Sequence, residues 1–261
     1  HSLCEALSKS KKISKIYCFP GNAGTQKIAE NIDINIDNFE ILKNFVVSEK
    51  IELIVVGPEK PLVEGIVDFF ENNNIPIFGP NKLASQLEGS KIFTKKICDK
   101  YKIPTAKFGI FENINKAKLF LNNTKFPMVV KADGLAAGKG VYICENKENA
   151  ENAIEEIFDG KFGEAKNVLL EEFLIGEEMS YFVVSDGKNI KKFETAQDHK
   201  RVGEGDIGKN TGGMGAYCPT PLIDEATLNK IESQILVPIL DGLRRETIDF
   251  RGVLYAGLML T

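Results

Sequence analysis

The sequence predicts an α/β chain in two parts: an N-terminal domain built on a parallel sheet, followed by a larger α+β domain. Three observations carry this expectation. Short apolar runs at Ile13 to Phe19, Ile51 to Val56 and Ile75 to Phe78 alternate with segments of helical periodicity, the pattern of a parallel sheet covered by helices. From Ile103 onward, short strands crowd around one clear helix, Lys147 to Phe158. Glycine-dense strings at 134–140 and 210–215 punctuate this second part where backbone must approach something closely.

Taken in order, Leu3 to Ser8 reads as the end of a helix, and Ile13 to Phe19 as a strand leading into the turn Pro20-Gly21-Asn22-Ala23-Gly24-Thr25. Ile41, Leu42, Phe45 and Val46 fall at helical spacing. Ile51 to Val56 is expected to be a buried strand ending in Gly57-Pro58-Glu59, and Pro61 suits the first turn of a helix whose stripe is Leu62, Val63, Ile66, Val67 and Phe70. Loops at 20–25 and 57–61 then occupy the carboxyl ends of strands, where open parallel sheets bind ligands. One helix is expected from about Lys82 to Lys100, with a domain boundary near residue 90, giving domains 1–89 and 90–261. The last segment, Val253 to Thr261, reads as a strand.

The 261 residues are 43% hydrophobic and 27% charged, ordinary for a folded globular chain. A net charge of −4 weighs against nucleic-acid binding, which calls for a basic patch. No apolar run approaches roughly 20 residues, which weighs against a membrane span. Five scattered cysteines with no CxxC pair fit a reduced, cytoplasmic setting, and only two histidines make a His/Cys zinc site a poor reading.

Three strings carry chemistry. In Phe126 to Val141 a strand ends on Lys131, a Gly/Ala loop with Gly134, Gly138, Lys139 and Gly140 follows, and a second strand leaves at Val141. Glycines admit phosphate oxygens to backbone N–H groups and lysine adds positive charge. The spacing is not that of a P-loop, which needs Ser or Thr after the lysine and then a helix; a hairpin with a solvated lysine is the plainer alternative. In Val168 to Glu178 an apolar strand ends in acids, an apolar pair and more acids. Glu171, Glu172, Phe173 and Leu174 suit an adenine slot and a nearby carboxylate suits ribose, although the string taken alone is better read as an ordinary strand with an acidic hairpin. In Gln197 to Tyr217 the charge run Asp198-His199-Lys200-Arg201 leads into a glycine-dense loop, Asn210-Thr211-Gly212-Gly213-Met214-Gly215. Ordering so much glycine is costly for structure alone, and a solvated surface loop is the alternative.

In combination, a helix bearing Lys91, the Lys131 hairpin and the acid-apolar hinge resemble the ATP-grasp superfamily. The strings Pro20-Gly-Asn-Ala-Gly-Thr25, Val56-Gly-Pro-Glu59, Gln86-Leu-Glu-Gly-Ser-Lys91, Lys131 to Gly140, Gln197 to Gly203 and Asn210 to Tyr217 narrow the resemblance to the phosphoribosylamine–glycine ligase family, across residues 1–261. That resemblance implies a pre-ATP-grasp α/β domain followed by an ATP-grasp domain with its lid at about 103–172. It implies glycine, 5-phosphoribosylamine and ATP with Mg2+ or Mn2+ as reactants and cofactors; the oligomeric state stays open, with a monomer favoured.

By position within those motifs, Lys91 and Lys131 are expected at the α- and β-phosphates under the Gly134 to Gly140 loop. Glu171, Glu172, Phe173 and Leu174 are expected around adenine, and Glu178 or its neighbour Glu177 at ribose. Asp198, Lys200, Arg201 and Asn210, with Thr211, Gly212, Gly213, Met214 and Gly215, are expected near glycine and the γ-phosphate. Gly21, Asn22, Gly24, Thr25, Pro58 and Glu59 are expected to help hold phosphoribosylamine. The family's opening strand and its magnesium-binding Glu and Asn have no counterpart among these residues. The metal ligands are therefore expected after Thr261, and the 261-residue piece by itself is expected not to turn over. Another ATP-grasp ligase, a purine carboxylase or a non-catalytic nucleotide-binding protein are the competing expectations.

Overall fold

The computed structural model describes residues 1–135, 140–205 and 207–261, and the side chains of Lys209 and Asn210 fall outside the description. The chain divides into two compact units, His1–Phe78 and Gly79–Thr261.

The first unit runs α1 (Ser2–Ser8), β1 (Tyr17–Cys18), β2 (Glu30–Asn31), α2 (Phe39–Ser48), β3 (Ile54–Val55), α3 (Glu59–Glu64), α4 (Ile66–Asn72) and β4 (Ile77–Phe78). Its strands pair in parallel, β1 with β2 and β3 with β4, as the strand–helix alternation predicts. The ladders are short, two two-stranded pieces. Leu42 and Val46 of α2 and Ile66, Val67 and Phe70 of α4 form the core, packed on Phe19, Ile54, Val56 and Ile77. The expectation that Ile51 to Val56 is buried needs correcting: Leu53 is 55% exposed and Val55 37%. Period-two alternation turns those two side chains away from the face that meets the α2 and α4 core. The single helix expected after Pro61 is two, because Gly65 between α3 and α4 takes a left-handed conformation, φ +99°.

The second unit begins with α5 (Gln86–Gly89) and α6 (Lys91–Lys100). The one helix expected over 82–100 is broken at Ser90, which is extended (φ −140°, ψ 112°) and caps α6 by accepting a hydrogen bond from Phe93 N. A serine oxygen satisfies an orphan N–H of the first turn only from this non-helical conformation.

Next come β5 (Phe108–Phe111), α7 (Ile114–Leu121), β6 (Met128–Ala132), β7 (Val141–Cys144), α8 (Lys147–Phe158) and β8 (Val168–Glu172). The strands form an antiparallel sheet in the order β5-β8-β6-β7. Helix α8 has the bounds read from sequence; Asn146 caps it, and Ala150, Ala153, Ile154 and Ile157 give the helical stripe buried against the sheet. Met128, Val130 and Ala132 of β6 and Val168 and Leu170 of β8 point into that same core. The alternate residues Val129, Lys131, Leu169 and Glu171 therefore share the opposite face.

The chain then forms β9 (Glu177–Asp186), β10 (Ile190–Lys192), β11 (Gln197–Gly203), β12 (Ile207–Tyr217), α9 (Glu225–Ile231), a π-helical turn (Glu232–Leu236), α10 (Val237–Arg245) and β13 (Arg251–Leu260). Strand β9 lies between β10 and β13. One face of that sheet buries Met179, Tyr181, Val183 and Leu254 against Leu236, Leu240 and Leu243. The glycine-dense stretch Asn210 to Gly215 is not a loop: it is strand, paired antiparallel with β11 so that Asp198 faces Ala216 and His199 faces Gly215. Ladder hydrogen bonds need only backbone, so glycine can occupy a strand whose partner supplies the register. No helix among the described residues is long and apolar enough to cross a membrane, and all five cysteines are free thiols.

Candidate functional site: a lysine-lined cleft

The register of the four-stranded sheet sets Val129 opposite Glu171 and Lys131 opposite Leu169. Lys131 and Glu171 are thus diagonal neighbours on the face away from α7 and α8, within reach of two long side chains. Lys131 Nζ lies 2.8 Å from Glu171 Oε2. Helix α6 adds Lys91 and, one turn on, Lys95, whose Nζ is 3.4 Å from the same Glu171 oxygen. Lys91 Nζ donates to Gly134 O at 2.5 Å. These residues, with Glu88, Thr94, Leu135, Gly140 and Val141, line a cleft of about 300 Å³, at the small end of ligand sites. Gly134 sits at φ +90° with nothing within 4 Å of where a Cβ would be. Its requirement for glycine is therefore conformational, a left-handed turn directly after β6.

Burial pulls the ammonium of Lys91 below its ordinary range, against the opposing charge of Asp133, and the nearby Lys131 pushes it the same way. Lys95 is likewise lowered by burial, with Glu171 opposing and Lys131 adding. Three ammonium groups are thus crowded and partly desolvated. The Glu171 carboxylate is only 6% exposed, and its Oε1 is buried without a hydrogen-bond partner among the described residues. A polyanion suits the crowded lysines, and a donor group suits the orphan oxygen. Beyond Glu171 the chain is held to β5: Lys107 N donates to Glu172 Oε1 at 2.8 Å, and Glu172 N donates to Lys107 O. Phe173 and Leu174 follow, both half-buried.

The β11–β12 hairpin carries a second charged set. Lys200 Nζ lies 3.0 Å from Glu178 Oε2 on β9 and 3.8 Å from Asp198 Oδ1. Burial pulls the Lys200 ammonium down, but the hydrogen bond to Glu178 and the charges of Tyr255, Glu178 and Asp198 outweigh it, leaving it above its ordinary range. Glu177 instead accepts from Gln197 Nε2 at 3.4 Å, and Gln197 Oε1 in turn accepts from the Tyr217 hydroxyl. Thr211 Oγ1 donates to Lys200 O at 2.9 Å and accepts from Gly213 N at 3.0 Å, locking the hairpin locally. Gly212, Gly213, Met214 and Gly215 are exposed.

Residues 1–88 match the sequence profile of the phosphoribosylglycinamide synthetase N domain, and residues 89–261 match that of the phosphoribosylglycinamide synthetase ATP-grasp (A) domain. The chain belongs to the phosphoribosylglycinamide synthetase family. It is 48% identical over 263 residues to a phosphoribosylamine–glycine ligase of Caldanaerobacter subterraneus, covering 100% of this chain and 63% of that protein. A bifunctional purine biosynthetic protein of Schizosaccharomyces pombe is 46% identical, with 100% and 34% covered. A crystal structure of phosphoribosylamine–glycine ligase from Thermotoga maritima superposes with a TM-score of 0.83 at 33% identity, covering 100% of this chain and 62% of that one. An N5-carboxyaminoimidazole ribonucleotide synthetase in complex with ADP shares the fold at 17% identity and a TM-score of 0.72. The chain spans somewhat under two thirds of the length of the phosphoribosylamine–glycine ligases it matches.

Within the chain, the sequence-derived residues fall into three groups. Lys91, Lys131, Gly134, Gly140 and Glu171 converge on the cleft. Glu178, Asp198 and Lys200 gather at the hairpin; Arg201 and Asn210 pair across it. Gly21, Asn22, Gly24, Thr25, Pro58 and Glu59 belong to the first unit. There Asn22 Oδ1 accepts from Gly24 N and Thr25 N, and Thr25 Oγ1 donates to Asn31 Oδ1, so Asn22 and Thr25 stabilise their own turn. Gly138 and Lys139 lie outside the described residues, as does the side chain of Asn210.

Sequence reasoning missed Lys95, Ser90 and Asp133. Asp133 accepts from Ser90 Oγ at 3.0 Å and from Ile92 N at 3.2 Å, tying the start of α6, and so Lys91, to the end of β6. The spacing of four between Lys91 and Lys95 was the available signal, since it sets both on one helix face.

Proposed function

We propose that the protein joins glycine to 5-phosphoribosylamine using ATP, through glycyl phosphate. A glycine carboxylate oxygen attacks the γ-phosphorus, the bond to the β,γ-bridging oxygen breaks, and ADP leaves. The amine of phosphoribosylamine then attacks the acyl carbon, the C–O bond to phosphate breaks, and a proton is released with glycinamide ribonucleotide. A carboxylate is a poor acyl donor, and phosphorylation supplies the leaving group it lacks. Catalysis then consists largely of positioning and of neutralising phosphate charge.

The observation that carries this reading is the convergence of Lys91 and Lys131 on the Gly134 cleft, in a chain whose whole length matches the family. In this reading the two lysines take the α- and β-phosphates, beside Gly134 and Gly140. Glu171 and Glu172 frame adenine, with half-buried Phe173 and Leu174 on its face. Glu178, already paired with Lys200, takes the ribose at the boundary between nucleotide and hairpin. Asp198, Lys200, Arg201, Asn210 and the Thr211 to Gly215 stretch orient glycine and the γ-phosphate. The Gly21 to Thr25 and Pro58-Glu59 loops bind phosphoribosylamine. Magnesium or manganese, when bound, would neutralise phosphate charge. Among the described residues no three His, Cys, Asp or Glu side chains gather as a metal site. A cytoplasmic setting fits five free thiols.

The test is ADP release by the full-length protein with ATP, Mg2+, glycine and phosphoribosylamine. Release is expected only when glycine and phosphoribosylamine are both present. Release driven by bicarbonate and aminoimidazole ribonucleotide instead would replace this reading with a carboxylase.

A further inference from the structure

We propose that Lys95 is a positioning residue: it holds the Glu171 carboxylate in place and balances its charge when nucleotide phosphate draws Lys131 away. This rests on the ATP-binding reading above and adds a residue that does not itself touch phosphate.

Both ammonium groups address the same oxygen, Glu171 Oε2, Lys131 at 2.8 Å and Lys95 at 3.4 Å. They are anchored differently. Lys95 Nζ also donates to Thr105 Oγ1 at 2.7 Å and to Ala106 O at 3.3 Å, two anchors in addition to its ion pair with Glu171. It lies 5.4 Å from the centroid of the Phe108 ring, and Phe108 is the β5 residue in register with Glu171. Its side chain is 11% exposed, against 25% for that of Lys131. Lys95 is therefore the fixed counter-ion and Lys131 the one with freedom to turn into the cleft.

A carboxylate as buried as Glu171 cannot lose its only counter-ion cheaply. With Lys95 in place, Lys131 can exchange carboxylate for phosphate while Glu171 keeps one ammonium partner and an oriented Oε1. Without Lys95, every phosphate bound by Lys131 strands a buried negative charge. The penalty falls on nucleotide affinity and runs through Glu171.

The experiment is a double-mutant cycle read by calorimetric titration of the protein with ATP. Lys95→Met should weaken ATP binding roughly tenfold to a hundredfold, the range of a hydrogen bond to a charged group. In the Glu171→Gln background, which has no charge to balance, Lys95→Met should change affinity by less than about threefold. An unchanged affinity for Lys95→Met overturns the proposal. So does an equal loss in both backgrounds, which marks a role independent of Glu171. Should Lys95→Met not fold, the double variant decides: folding with the affinity of Glu171→Gln supports the proposal, and misfolding or weaker binding overturns it. Wild-type protein that binds no ATP would instead remove the nucleotide reading itself.

Discussion

Replacing Asp133 with alanine tests whether the cleft is held by the junction between β6 and α6. The Asp133 carboxylate accepts from Ser90 Oγ and from Ile92 N, the latter an orphan donor of the first helical turn. Hydrogen bonds to a charged group contribute about 1.5–3 kcal/mol when well buried. Asp133 is half-buried, so about 1 kcal/mol each is appropriate, and an anion at a helix N-terminus adds roughly 0.3–1 kcal/mol. Asp133→Ala should thus cost about 2–3 kcal/mol, and Asp133→Asn, which keeps an acceptor oxygen, about half of that. The chain has no Trp, so urea unfolding is followed by far-ultraviolet circular dichroism, with the midpoint shift at constant slope giving the loss. Because Lys91 is the first residue of α6, ATP affinity should fall together with stability. A cost below about 0.5 kcal/mol, the range of an ordinary surface substitution, would refute the reasoning.

Other substitutions probe the frame around the site. Gly176→Ala would put a Cβ 1.9 Å from Leu260 O on β13, so the strand end must shift; melting should drop by several degrees, as for a loss of about 1–2 kcal/mol. Phe70→Ala empties a fully buried position in the first unit and should destabilise that unit by about 3–5 kcal/mol in urea. Asp186 is held down to about 2, chiefly by the backbone N–H of Asn189, then by the Asn189 side chain and the Lys188 N–H. A depressed carboxylate contributes stability above its unfolded value, near 4, and loses it as pH falls toward about 2. Melting of the wild type should therefore fall over that window more steeply than melting of Asp186→Asn.

The helix Lys147–Phe158 was legible because each level of the sequence agrees: an Asn cap, an apolar stripe and a sheet to receive it. The break at Ser90 was not, because apolar spacing continues across it from Leu87 to Phe93 and Ile97. The tertiary bonds from Ser90 and Ile92 to Asp133 favour the cap over a continuous helix. The strand at Asn210–Gly215 escaped because glycine carries no alternation to read, and its register comes from β11. In the site, Lys131 was legible from the glycine-rich string that follows it, and Lys91 only through the family resemblance. Lys95 was not legible, because a lysine on a lysine-rich helix looks like a solvated charge until the buried Glu171 beside it is known. Leu53 and Val55 misled in the opposite direction, since apolar character alone does not say which strand face is covered.

The central claim is that ATP activates glycine as an acyl phosphate. It is tested most directly by following the carboxylate oxygens of glycine labelled with heavy oxygen through one turnover of the full-length protein. The account predicts that inorganic phosphate released with glycinamide ribonucleotide carries one labelled oxygen, transferred when the acyl C–O bond breaks. Product formation with unlabelled phosphate would contradict it.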